Sequence, residues 1–235
     1  MINFNRARIM VVVAHPDDEL LGLGASMHRL INEFGVTAHV VILGEGITSR
    51  SDVRDPEKWK EELAIHRANI KNAQAAIGYQ SVSIYDFADN RFDTVALLDI
   101  IKVVEKEKKA FKPDIIFTHH GGDLNVDHRR TFESVITCCR PMADEKVKSI
   151  VTFETPSGTE WQASSEPRRF IPNLFISVSE TDVAAKIKGM ESYEFEKRPF
   201  PHPRSPEALK IQAQRWGVAN GVPLAEAFCL IRSIL

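Results

Sequence analysis

Six apolar residues, Ile9-Met10-Val11-Val12-Val13-Ala14, run without a polar interruption and stop at His15-Pro16-Asp17-Asp18-Glu19. An unbroken, β-branched run of this kind reads as a strand buried on both faces, as in a parallel sheet covered by helices above and below. Beyond the acidic turn, Leu20, Leu21, Leu23, Met27, Leu30 and Ile31 recur at helical spacing as far as Gly35, and Thr37 to Leu43 is a second strand. The three pieces make a β-α-β unit, for which a right-handed crossover is expected.

The alternation continues. Glu57 to Ile77 is expected to be a helix stopped by Gly78, and Val82 to Phe87 a strand. Thr94 to Phe111 follows as a helix closed by Lys112-Pro113, and Asp114 to Thr118 as a buried strand. A helix then starts at Asp127 or His128 and runs to about Cys139. Strands alternating with helices in this way predict a Rossmann-like, doubly wound α/β fold: a mostly parallel sheet with helices on both faces. The last third is less regular. Ser149 to Glu154 and Leu174 to Val178 read as strands, Asp182 to Tyr193 as a helix capped near Ser179 or Thr181. Lys197 to Pro206 carries four prolines and reads as a loop. Pro206 to Trp216 resumes as a helix, and Ala225 to Ile234 is a short strand or helix. No repeat or linker divides the chain, so residues 1–235 are expected to form one domain.

Composition excludes some classes of partner. A formal net charge of −2 over 235 residues offers no basic stripe for nucleic acid or an anionic membrane. The lysines between Lys102 and Lys112 are interleaved with Glu105 and Glu107, as on a solvated helix face. The N-terminal apolar run is too short to span a bilayer. The three cysteines, Cys138, Cys139 and Cys229, form no C-x-x-C pair, and an odd count argues against a disulfide framework. They read as buried thiols in a reducing compartment, so a cytoplasmic location is expected, with no nucleic acid and no membrane span.

In open α/β sheets, ligands bind beyond the carboxyl ends of the strands. Two clusters of His and Asp fall there: His15 to Glu19 after the first strand, and His119 to His128 after the strand at 114–118. Buried carboxylates are costly unless they are paired or bind a metal. Imidazole and carboxylate together suit zinc, which in catalytic sites takes three protein ligands and leaves a place for water. Iron and other divalent ions accept the same donors.

The Ala14-to-Glu19 motif (AHPDDE), with an x-x-Asp-His element ending at His128, resembles the PIG-L/LmbE family. The likeness extends to the helix from Arg67 to Gly78, the Asp89 loop, Pro172-Asn173 and Ala225 to Phe228. It implies a zinc-dependent deacetylase of N-acetylglucosamine-type sugars, whose partner is a small N-acetylated sugar or glycoconjugate. It also implies a homo-oligomer, since relatives are often multimeric. Carried over by position, it makes His15, Asp18 and His128 the Zn2+ ligands and Asp17 the general base. Asp127 joins the catalytic acids, while Asp123 and His120 support the ligands. Arg67, or His66 one position earlier, and Asp89 fall near positions that touch substrate.

One residue departs from the family pattern. The second motif ordinarily reads His-Pro-Asp-His and here reads Asn125-Val126-Asp127-His128. Asn125 can donate a hydrogen bond to an oxyanion but cannot carry a proton near neutral pH; alternatively, it caps the following helix. His202 and Arg204, in the proline-rich loop, are expected to contact substrate and to make up the deficit. Two other readings stay open: a metal hydrolase acting on another amide or ester, and a non-catalytic zinc- and sugar-binding protein.

Overall fold

The computed structural model describes residues 2–234. Seven strands form one sheet: β1 (Arg8–Val13), β2 (Thr37–Gly44), β3 (Ser81–Phe87), β4 (Ile115–His119), β5 (Ser149–Phe153), β6 (Leu174–Ser177) and β7 (Ala225–Ser233). Six helices accompany them: α1 (Asp18–Phe34), α2 (Lys60–Ile77), α3 (Leu97–Phe111), α4 (Val126–Cys138), α5 (Glu180–Glu191) and α6 (Pro206–Ala219). The spatial order is β3-β2-β1-β4-β5-β7-β6. Strands β1 to β5 are parallel to one another, and β7 runs antiparallel to both β5 and β6. This is the expected doubly wound α/β fold. The final element, left open between strand and helix, is an inner strand.

The β1 run shows why it must be central. Ile9, Val11 and Val13 face one hydrophobic cluster, with Leu20, Met27, Ile70 and Met190. Met10, Val12 and Ala14 face the other, with Ile100, Val104 and Val135. Alternate residues therefore serve opposite faces of the sheet. Burying one such side chain fully is worth roughly 1.5–3 kcal/mol relative to exposure. The connections progress in opposite directions across the sheet on the two sides of β1, outward to β2 on one side and later to β4 on the other. That switch point opens a crevice at the strand ends.

Two helix starts fall later than the apolar pattern predicts. Residues before Lys60 are held in a turn, where Asp55 accepts from the backbone N–H groups of Lys58 and Trp59. Phe92–Thr94 forms a short 3-10 turn instead of the first turn of α3, because Asp127 captures the Phe92 N–H at 2.9 Å. Gly22 and Gly24 are packing residues. A Cβ at Gly22 would lie 2.2 Å from the Phe153 ring, and one at Gly24 would lie 3.0 Å from Lys186.

Helix α5 begins with a capping box: the Ser179 hydroxyl accepts from Asp182 N–H, and Asp182 accepts from Ser179 N–H at 2.7 Å. The other Asp182 oxygen lies 2.6 Å from His28 Nδ1 on α1. Burial pushes the Asp182 carboxyl up, but the Ser179 and His28 hydrogen bonds outweigh it and hold it below its ordinary value. Asp182→Ala is expected to destabilise the fold by about 1 kcal/mol at neutral pH. A depressed carboxyl stabilises above its unfolded-state pKa and ceases to as pH falls through its lower native one. The gap between variant and wild type in urea unfolding should therefore close in acid.

Candidate active site

The first cluster is built by a sharp change of direction after β1. Asp17 has φ +104° and ψ −28°, a backbone region that side-chain-bearing residues rarely adopt and that Asp tolerates better than most. Three contacts hold it there. Its carbonyl accepts from Leu20 and Leu21 N–H at 3.0 and 2.9 Å, and its own N–H donates to Glu19 Oε2 at 3.1 Å. Glu19 is anchored in turn by the Tyr193 hydroxyl at 2.6 Å. Burial lifts the Glu19 carboxyl to about 7 despite that bond. The turn sends Asp17 and Asp18 to different walls.

Asp18 faces the imidazoles. Its Oδ2 accepts the His15 N–H at 2.8 Å and lies 3.4 Å from His15 Nδ1 and 3.3 Å from His128 Nε2. Burial pushes the Asp18 carboxyl up, yet His128 and His119 pull it well below its ordinary value. The far nitrogens of the His15 and His128 imidazoles are fixed by carboxylates. His15 Nε2 is 2.9 Å from Asp127 Oδ2, and His128 Nδ1 is 3.0 Å from Asp123 Oδ1, off ideal hydrogen-bond angle but within ion-pair range. Against the effect of burial, Asp127 and Asp18 raise His15 well above its usual value, and Asp18 and Asp123 raise His128 to about 9. Orientation of this kind leaves His15 Nδ1, His128 Nε2 and Asp18 Oδ2 turned toward one point.

This trio fits a divalent metal. One ligand atom from each of the three lies within 4.8 Å of the others, and two imidazoles with a carboxylate suit zinc. A second trio, His15, Asp89 and Asp127, is equally close. Its carboxylates are already occupied: Asp127 accepts from Asn90 N–H, Phe92 N–H and His15, and Asp89 from Ser49 N–H, Ser49 Oγ and Asn90 Nδ2. The first trio is therefore the better metal cradle.

Asp17 faces the other wall. Its Oδ2 is 2.8 Å from Arg204 Nη1, which also lies 2.8 Å from Glu196 Oε2. Arg204 Nε donates to Ser157 Oγ at 2.7 Å, and Arg50 pairs with the other Glu196 oxygen. Burial pushes the Asp17 carboxyl well above its usual range, and Arg204 opposes that rise. Asp17, Asp89, Asn125, His128 and Arg204 all line the same cleft, with His66, Arg50 and Glu196.

Several expected roles are corrected by the geometry. Asp127 carries no free oxygen for proton chemistry: with three donors on it, it positions His15 and the Phe92 turn. Asn125 caps α4, its Oδ1 accepting from Asp127 N–H at 2.8 Å and its Nδ2 donating to Asn90 Oδ1 at 2.9 Å, so its amide is committed within the protein. His120 turns away to the Arg168 carbonyl at 2.8 Å and to Phe170. His119 takes the supporting place instead. It stacks on His128 with centroids 3.9 Å apart, accepts Ala14 N–H on Nε2 and faces Thr155 Oγ1 through Nδ1. Burial and the neighbouring His128 lower it to about 4, so it is a neutral prop. Arg67 is exposed, and His66 is the α2 residue that reaches the cleft. His202 packs edge-on against Trp161 and accepts Arg204 N–H, outside the cleft wall. Glu196 and Arg50 carry no motif and were not anticipated; their only signal is charge in otherwise irregular segments.

Comparison with known proteins bears on this arrangement. The family model described as PIG-L, GlcNAc-PI de-N-acetylase, matches residues 10–139. The uncharacterized deacetylase YaiS of Escherichia coli (strain K12) is 26% identical over 193 residues, covering 80% of this chain and 91% of its own. Among solved structures, the N,N'-diacetylchitobiose deacetylase from Pyrococcus horikoshii aligns with a TM-score of 0.74 at 16% identity, over 96% of this chain and 84% of its own. GalB, the 4-carboxy-2-hydroxymuconate hydratase from Pseudomonas putida KT2440, aligns with a TM-score of 0.70 at 20% identity, over 97% and 98%. At such identities the two structures show a shared fold. The family match is more informative, because it spans more than half of the chain and contains His15, Asp17, Asp18 and His128 alike. On that ground the chain belongs to the PIG-L family.

Proposed function

We propose that this protein is a metal-dependent hydrolase that removes the N-acetyl group from an amino sugar or its conjugate and releases acetate. The observation that carries it is the parting of two adjacent carboxylates, Asp18 toward the imidazoles and Asp17 toward the open cleft beside Arg204. His15, Asp18 and His128 would hold the metal, zinc by its donor set. When bound, it acidifies water and offsets negative charge on an acyl oxygen.

The chain supplies the proton traffic. Asp17 accepts a proton from the attacking water, with a carboxyl whose raised pKa suits a general base. The C–N bond breaks as the amine nitrogen takes a proton, and Asp17 is the group placed to return it. Asn125 is committed to Asn90 and Asp127, and His202 lies outside the wall. Arg204 keeps Asp17 oriented and favours its ionised form. Removing that charge in Arg204→Met should raise the Asp17 pKa further. The acid limb of the pH–rate profile is then expected to move to higher pH, with metal content unchanged.

The names of the deacetylases among its relatives support amide hydrolysis. The hydratase on the same fold favours a second reading, in which the cluster activates water for a carboxylated substrate without an acetyl group. Metal-loaded protein should release acetate from a panel of N-acetylated amino sugars and leave unsaturated dicarboxylates unchanged. Hydration of the dicarboxylates, with no acetate from any sugar, would replace the first reading with the second.

A further inference from the structure

Two adjacent thiols close α4 at the end of the molecule opposite the cleft. Cys138 is the last residue of the helix, about 15 Å along its axis from His128. It shares the wall of a groove with Pro113 and Val147, which lie just before β4 and β5, so the groove sits at the amino ends of the strands. The groove encloses about 540 Å³, the size of a small-molecule site. Cys138 is 7% exposed, and Cys139 is wholly buried behind it. The Cys138 carbonyl accepts from Lys108 Nζ at 2.7 Å, while its sulfur has no hydrogen-bond partner among the described residues except the Cys139 thiol. That thiol and the Lys108 ammonium favour the Cys138 thiolate, and against burial they hold it below its ordinary value. The same hydrogen bond, with burial, pushes Cys139 up, and burial pushes Cys229 up. The thiolate is the nucleophilic form, so one thiol of the three cysteines is set apart as reactive.

The groove defines what that thiol would meet. Lys108 is paired with Glu145 at 2.6 Å, and Glu105 with Lys102 at 2.7 Å. Lys109, Lys112, Arg140 and Lys146 stand in the same walls with no ion-pair partner among the described residues, and Asp144 is the one acid there left unpaired. Uncommitted positive charge beside a reactive thiol attracts a small molecule that carries carboxylates and repels a cationic one.

We propose that Cys138 is a modification site, which forms a mixed disulfide with an anionic low-molecular-weight thiol taken from that thiol's own disulfide. The Cys138 thiolate attacks one sulfur of the small disulfide. The old S–S bond breaks, a bond from Cys138 Sγ to that sulfur forms, and the other half leaves as a thiolate, which takes up the proton that Cys138 had lost. The small disulfide is the oxidant, and no other is needed. Cys139 stays protonated behind the new bond, so the exchange stops at the mixed disulfide. In the test, reduced protein is incubated with glutathione disulfide, which carries carboxylates, or with cystamine, a cationic disulfide. Adducts are then located by peptide mass spectrometry. One glutathionyl group should appear on Cys138, none on Cys139 or Cys229, and dithiothreitol should remove it. With each rate taken relative to free N-acetylcysteine, glutathione disulfide should react on the order of tenfold faster than cystamine at low salt, and high salt should narrow the gap. Lys109→Glu combined with Lys146→Glu changes two exposed side chains and should abolish the preference while keeping Tm. Cys138→Ser should take no adduct; if that variant does not fold, the wild-type map and the lysine variant carry the test. Labelling of Cys139 or Cys229 at a comparable rate, or no adduct on the folded protein, overturns the proposal. So does a preference for cystamine in wild type, or an undiminished preference for glutathione disulfide in the lysine variant.

Discussion

Asp17→Asn protein is expected to bind metal as the wild type does and to turn substrate over about a thousandfold more slowly, the scale of a lost general base. The substitution is close to isosteric. Asparagine tolerates the positive φ at this position, and its side-chain oxygen can still accept from Arg204 Nη1. Only the capacity to take a proton is removed. Turnover and metal content measured on the same preparation check the claim. Full activity in this variant would remove Asp17 from the chemistry.

One residue further on, the expectation inverts. Asp18→Ala should lose metal and activity together, with metal affinity down by more than the 10- to 100-fold typical of losing an outer partner. Among the described residues, Asp18 Oδ2 is the only carboxylate oxygen that lies within 3.4 Å of His15, His119 and His128 together. Without it the His15 and His128 imidazoles, 5.4 Å apart by centroid, face each other with no anion between them. Elemental analysis of purified protein gives the answer. Stoichiometric metal in Asp18→Ala would shift the centre to the neighbouring trio of His15, Asp89 and Asp127. Two adjacent aspartates with opposite signatures would also separate the metal-holding role from the proton-handling one.

The parts of this molecule legible in the sequence are those governed by local pattern. The β1 run, buried on both faces, announced a central parallel strand, and the positive-φ glycines Gly35 and Gly78 marked the ends of α1 and α2. Strand ends then placed His15 to Glu19 and His119 to His128 at one edge. What local pattern could not contain was side-chain pairing over long separations. Asp127 reads as an acid available for chemistry until Asn90, Phe92 and His15 are seen on its two oxygens. His119 and His120 are equivalent by sequence. The pleat of β4 and the turn after it send the first to His128 and the second to the Arg168 carbonyl. Arg67 and His66 differ by one helix position, which decides between solvent and cleft.

The two walls of the cleft come from different lengths of the chain. His15, Asp18, Asp123 and His128 all fall before residue 139, whereas Ser157, Tyr193, Glu196 and Arg204 fall after it. The later group reaches the earlier one through a few polar contacts, on Asp17, Glu19 and Arg50. Such an arrangement is modular in inheritance. Substitutions between 157 and 204 can reshape what enters the cleft and what stands beside Asp17, while His15, Asp18 and His128 pass unchanged from one descendant to the next. A scaffold divided in this way can change clientele many times without having to reinvent its reagent.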